Sequence, residues 1–228
     1  MSTIAENIST LAARIDRAAQ AAQRDPASIG LLAVSKTKPA SDLREAYAAG
    51  LRDFGENYLQ EALGKQTELS DLPLIWHFIG PIQSNKTRAI AEHFAWVHSV
   101  DRLKIAQRLS EQRPADLPPL NICIQVNVSG EASKSGCTPE DLPALAQAIS
   151  VLPRLKLRGL MAIPEPTEDS GEQRAAFAAV YNLQHQLNLP LDTLSMGMSH
   201  DLEAAIAQGA TWVRIGTALF GARDYGQP

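Results

Sequence analysis

Lys36 closes an apolar run, GLLAVSKTKP, and an amine at the end of such a run can be more than a solvated charge. Where the surroundings have low dielectric, burial disfavours the ammonium form and leaves a nucleophile able to form an imine with a carbonyl compound. Lys38 lies beyond the apolar residues and is expected to face water. Far along the chain, LSMGMSHDLEAAIAQGATWVRIGTALFG holds Ser199, Arg214, Gly216 and Thr217. Two hydroxyls and a glycine that lets backbone approach closely suit the oxygens of a phosphate. Arg214 stands two residues before Gly216 inside an apolar strand, so alternation points both to one side. A guanidinium in that position is costly to bury without an acceptor. A carboxylate would serve; so would a ligand's heteroaromatic nitrogen, because arginine keeps its proton. Asn57, in FGENYLQE, is either an amide that donates and accepts at a polar ligand or the N-cap of the next helix. His77 alternates with apolar residues and reads as a satisfied core histidine, Met161 reads as packing, and Lys134, in the loop NVSGEASKSGC, is the second lysine to test.

Residues spread from 36 to 217 can share a site only if the fold brings distant segments together. Strand patterns run over Ile29 to Lys36, Asp53 to Asn57, Leu74 to Gly80, Trp96 to Asp101, Asn121 to Val128, Leu155 to Ile163, Thr193 to Gly197 and Trp212 to Gly221. Helical patterns separate them, among them SDLREAYAAG, DRLKIAQRLSEQ and SGEQRAAFAAVYNLQHQL. Gly50 and Gly209 mark helix ends, and Ser41 and Ser199 are expected N-caps. Strict strand and helix alternation predicts an α/β fold with a parallel sheet. Eight units close naturally into a (β/α)8 TIM barrel, with a doubly wound open sheet as the alternative. In a barrel, chemistry sits at the C-terminal strand ends, where Lys36 and Asn57 fall. Phosphate commonly binds the loops after strands seven and eight and the start of a short helix, where Ser199, Gly216 and Thr217 fall.

The 228 residues fit one barrel domain spanning 1–228, and residues 1–25 read as an extra N-terminal helix covering it. Ile4, Ile8, Leu11 and Ile15 share a face of that helix, and Thr3 with Glu6 forms a capping-box pattern. Glu6 and Asp16 argue against a targeting peptide, so a cytoplasmic protein is expected. No apolar run approaches the roughly 20 residues that span a bilayer, which points away from a membrane protein. Cys123 and Cys137 offer neither metal-ligand spacing nor a disulfide framework. A net charge of −4 gives no basic field for nucleic acid, so a small-molecule partner is expected.

The segments AVSKTKP, FGENYLQEA, WHFIGPIQSNK, HSVDR, SGEASKSG, LRGLMAIP and LSMGMSHDLEAAIAQGATWVRIGTALFG together resemble the pyridoxal phosphate homeostasis proteins, the YggS/PROSC family. The similarity runs from about Ile29 to Gly221. It implies the barrel of the alanine racemase N-terminal domain and pyridoxal 5'-phosphate (PLP) as cofactor. By resemblance, Lys36 forms the internal aldimine, Arg214 faces the pyridine nitrogen, Ser199, Gly216 and Thr217 hold the phosphate, and Asn57 and Met198 lie close to the cofactor.

The family's implied role is intracellular vitamin B6 homeostasis, as a PLP reservoir or carrier without an established reaction, with PLP-dependent apoenzymes as possible recipients. A monomer is expected. The competing reading is a PLP-dependent amino-acid racemase. An arginine at the ring nitrogen disfavours the pyridinium that makes PLP a strong electron sink. Racemisation also needs a second base opposite the lysine, which alanine racemase takes from a C-terminal domain of its partner chain. This chain stops at Pro228, and Tyr47, Tyr58 and Tyr181 fall in helical patterns while Tyr225 lies in the tail. A Schiff-base aldolase would use Lys36 and the phosphate site but explains Arg214 poorly.

Overall fold

Short runs of Leu, Ile, Val and Phe alternate with amphipathic segments, and the buried positions follow that pattern. The computed structural model describes residues 2–130 and 135–222. Among the described residues, eight parallel strands pair in chain order and the eighth returns to the first, closing a barrel. They are β1 (Gly30–Val34), β2 (Asp53–Glu56), β3 (Ile75–Phe78), β4 (Trp96–Val100), β5 (Leu120–Gln125), β6 (Leu155–Met161), β7 (Thr193–Ser195) and β8 (Trp212–Ile215). The closing register runs from Gly30 opposite Trp212 to Ala33 opposite Ile215. This is the expected barrel, not the open sheet.

The helices are α1 (Ile4–Ala21), α2 (Ala40–Ala48), α3 (Leu59–Glu68), α4 (Thr87–His93), α5 (Leu103–Gln112), α6 (Leu142–Ser150), α7 (Ser170–Gln186), α8 (Leu202–Ala207) and α9 (Thr217–Phe220). Among the described residues, no helix is long and apolar enough to cross a membrane. The large apolar core lies between strands and helices and includes Phe54, Leu43, Phe94 and Phe177. Neighbouring positions of opposite alternation form a second cluster inside the barrel, Trp96, Cys123 and Met161. Met161 is therefore packing, as expected.

α1 has the expected capping box at Thr3 and Glu6 and buries Ile8, Leu11, Ile15, Ala18 and Ala19. It packs on α2, α8 and α9. Because α9 is a single turn, α1 takes the outer-layer place that a full eighth helix would fill. Asn7 Nδ2 donates to Leu219 O at 2.8 Å, Arg24 Nη1 donates to Ile206 O at 2.8 Å, and Arg14 pairs with Glu203. The first helix thus braces the two elements that follow β7 and β8.

Three local expectations need correction. β8 stops at Ile215 rather than Gly221, because the Leu219 and Phe220 amides turn back onto Gly216 O to make α9. Ser41 lies inside α2, whose N-cap is Pro39; the φ of −70° at that proline leads the chain straight into the helix. Ser199 precedes the real N-cap of α8, Asp201, whose carboxylate accepts from Met198 N at 2.6 Å and folds 198–201 into a turn. Gly50 and Gly209 do end helices, with φ of 105° and 95°.

Candidate functional site

One cleft of about 200 Å³ opens at the C-terminal ends of the strands. Lys36, Asn57, Met198, Ser199, Arg214, Gly216 and Thr217 all line it. The structure therefore brings together every residue singled out for the site. Val34, Lys38, Ile79, Ile163, His200 and Gly221 complete the wall.

Lys36 sits two residues past the end of β1, half-buried, and the chain on both sides of it is held. Ser35 N donates to Gly55 O at 3.0 Å, and Ser35 Oγ donates to Glu56 Oε1 at 2.6 Å. The buried Lys65 ammonium donates to Ser35 O at 2.7 Å, to Glu56 Oε1 at 2.7 Å and to Glu61 Oε1 at 2.5 Å. Glu61 Oε1 also accepts from Thr37 N at 2.6 Å. Burial pushes the Glu56 carboxyl above its ordinary value, against the opposing pull of Lys65 and Ser35. Thr37 has φ 65°, an unfavourable conformation for a β-branched residue. Strain next to Lys36 is thus held by a buried ionic cluster.

Asn57 follows β2 and leaves the N-cap of α3 to Tyr58, so the N-cap alternative for Asn57 is not realised. Its Oδ1 is buried with no hydrogen-bond partner. A Cβ on Gly80 would meet Asn57 O at 2.2 Å, so only glycine lets the exit of β3 pack against this backbone. Tyr58 itself is exposed.

Arg214 is buried on β8, and its partners are a hydroxyl and a carbonyl rather than the carboxylate of a salt bridge. Nη1 donates to Ser195 Oγ and Nη2 to Ala162 O, each at 2.9 Å. Burial lowers its pKa to about 10, with Asp201 opposing, so the guanidinium is charged at neutral pH. His77 is the satisfied core histidine expected: one ring nitrogen meets Asp53 Oδ1 at 2.8 Å and the other meets His98 at 2.9 Å.

Ser199 lies in the turn after β7, and Gly216 and Thr217 open α9 after β8. First-turn amides of a helix have no intrahelical carbonyl to bond. Gly197 sets the approach of the β7 turn: its φ is 96°, and a Cβ there would meet the Ala205 Cβ at 2.5 Å. Hydroxyls, glycine and helix start are therefore adjacent, as the barrel pattern predicts for an anion.

Lys38 departs from expectation. Instead of facing water it lines the cleft, and its Nζ donates to Phe220 O at 3.0 Å and Ala222 O at 2.9 Å. Sequence reasoning also missed Glu56, Glu61 and Lys65 as supports of Lys36; the i, i+4 spacing of Glu61 and Lys65 was the available signal. Both cysteines are buried, and burial pushes each thiol up to about 12, which removes them as nucleophiles. Lys134 lies outside the described residues.

Fold and site define a barrel of the alanine racemase type, and the sequence matches the family described as alanine racemase, N-terminal domain, over residues 6–224. A pyridoxal phosphate homeostasis protein of Pseudomonas aeruginosa is 80% identical over 228 residues, covering 100% of this chain and 99% of that protein. One from Escherichia coli is 53% identical over 235 residues, covering 99% of each. The chain belongs to the pyridoxal phosphate homeostasis protein family. Its relatives are named for homeostasis, not for a reaction. Among solved structures, PipY of Synechococcus elongatus with PLP bound is 43% identical with a TM-score of 0.85, over 96% of this chain and 100% of that one. An alanine racemase from Corynebacterium glutamicum has a TM-score of 0.70 at 17% identity, over 99% of this chain and 63% of that one, a likeness of fold alone.

Proposed function

We propose that this chain is a PLP-binding protein of intracellular vitamin B6 homeostasis, with residues 1–228 acting as one cofactor-holding unit. The observation that carries the reading is the convergence of an amine, a buried guanidinium and two hydroxyl-bearing loops on one cleft of about 200 Å³. That donor set fits a phosphorylated pyridine aldehyde. The unpartnered Asn57 Oδ1 adds an acceptor for a ligand hydroxyl.

Bound PLP would supply an aldehyde that condenses with amines and a ring that withdraws electrons. Lys36 is the covalent anchor. Ser199, Thr217 and the Gly216 backbone hold the phosphate, Arg214 offers an N–H to the ring nitrogen, and Met198 and Asn57 contact the ring surroundings. A guanidinium that keeps its proton at neutral pH donates a hydrogen bond without passing a proton to the ring. That arrangement favours holding over carbanion chemistry, so the chain acts as a reservoir or carrier and not as a racemase. It works as a cytoplasmic monomer that supplies PLP-dependent apoenzymes.

The test is absorbance. Incubation with PLP should give the purified protein a visible-range band that survives desalting, and Lys36→Ala should lack it. A wild-type protein that takes up no PLP overturns the reading. Chiral analysis of amino acids incubated with loaded protein separates carrier from enzyme, and rapid turnover lost in Lys36→Ala would replace carrier with racemase.

A further inference from the structure

A continuous line of hydrogen bonds crosses the barrel interior from Asp53 on β2 to Arg214 on β8. Asp53 Oδ1 lies 2.8 Å from His77 Nε2, His77 Nδ1 lies 2.9 Å from His98 Nε2, and His98 Nδ1 lies 2.7 Å from Ser195 Oγ. Ser195 Oγ lies 2.9 Å from Arg214 Nη1. His77, His98 and Ser195 are completely buried, and Arg214 is 5% exposed, whereas the Asp53 side chain keeps 23% exposure. The line thus joins a carboxylate at the N-terminal ends of the strands to the cleft at their C-terminal ends.

The chemistry at its two ends fixes its direction. Arginine can only donate, so Ser195 Oγ accepts from it. At the other end the Asp53 carboxylate accepts, so His77 carries its proton on Nε2 and, as a neutral ring, leaves Nδ1 to accept. His98 then donates from Nε2, and its bare Nδ1 accepts from the Ser195 hydroxyl. With both rings neutral, this placement of protons satisfies every bond in the line. Burial lowers the pKa of both rings, in keeping with neutral imidazoles. The groups facing them are Asp53 and Arg214, with Trp96 stacked on His77 and Trp212 edge-on to it.

We propose that Asp53, His77, His98 and Ser195 are positioning residues for Arg214. They form a one-way hydrogen-bond chain that fixes Ser195 Oγ as the acceptor for the guanidinium and holds it toward the cleft. The chain itself is a property of the protein without ligand. Its consequence for the cofactor, a fixed donor at the ring nitrogen, rests on the function proposed above.

Long-range 1H–15N correlation spectra of ligand-free protein read the chain directly. Both rings should carry their proton on Nε2 with unprotonated Nδ1, unchanged from pH 7.5 to 5.5. Finding either ring protonated on Nδ1 in that range overturns the proposal. Asp53→Asn lies at the solvent end and replaces an acceptor by a group that can also donate. It should make Nδ1-protonated forms appear in both rings together, including His98, which does not touch residue 53. Two unchanged rings would overturn the role of Asp53 in setting the direction.

Ser195→Ala breaks the chain beside Arg214. It should weaken PLP retention about tenfold, the scale of one hydrogen bond to a charged group, and move the visible band. Ser195→Thr, which keeps the hydroxyl, should restore both. A Ser195→Ala protein with wild-type band and retention overturns the positioning role. If the wild type has the expected tautomers but takes up no PLP, the cofactor reading fails while the chain stands.

Discussion

The Lys65 ammonium lies 2.7 Å from the Glu56 carboxylate, both buried behind the exit of β1. Through Ser35 O on one side and Glu61, which accepts from Thr37 N, on the other, this cation ties down the residues flanking Lys36. The role proposed for Lys36, to meet an aldehyde, calls for a rigid base, because misplacement of the reacting atom costs rate and affinity steeply.

Lys65→Met should cost about 3–5 kcal/mol, because Glu56 would stay buried without its counter-charge. Urea unfolding measures the loss. Replacing both members, with Glu56→Gln added, should recover part of it. A single variant within about 1 kcal/mol of wild type would show that the pair is not needed to hold the β1 exit.

Thr37 offers a test that separates stability from binding. Its φ of 65° costs a β-branched residue roughly 1–2 kcal/mol, and asparagine tolerates that region better. Thr37→Asn should therefore raise stability by about 0.5–1.5 kcal/mol without improving PLP retention. A drop in the unfolding midpoint would mean that the strain is not where the backbone places it.

The barrel was legible because buried parallel strands are short apolar runs that need only counting. All eight strands lie at the expected places, though β8 ends early because Gly216 starts a helix where composition still reads as strand. The cleft was legible because barrel topology dictates where strand exits meet, so Lys36 and Arg214 could be brought together from opposite ends of the chain. Lys38 was misread because its partners, Phe220 O and Ala222 O, are backbone atoms that side-chain pattern does not announce. Asp53, His98 and Ser195 were invisible as a set, since they stand on three strands and only closure of the barrel aligns them.

Gly197 is the glycine that shapes the turn after β7, where the proposed phosphate site lies. Gly197→Ala meets both an unfavourable φ and the Ala205 Cβ at 2.5 Å. The expected cost is about 2–5 kcal/mol, adding backbone strain to overpacking. PLP retention should fall further than in Gly64→Ala, whose Cβ would enter open space on α3. Equal retention in the two variants would detach Gly197 from the site.

Stability should fall as the solution becomes acidic, and the buried histidines set the sign. Burial holds His77 and His98 below the ordinary value of 6.5; Asp53 partly opposes this at His77, while His77 and Arg214 add to it at His98. The folded protein therefore keeps both rings neutral at a pH where the unfolded chain has begun to take up protons. The stabilisation is complete above the unfolded value and is lost as pH falls toward the folded ones. Each ring can contribute up to about 1.4 kcal/mol per pH unit in that window, roughly 2.7 for the two together. Urea midpoints at pH 7.5, 6.5 and 5.5 should drop with a steepening slope below 6.5. A flat profile down to pH 5.5 would mean that these imidazoles bind protons as readily in the barrel as in the open chain, and the interior line of hydrogen bonds could not then be neutral.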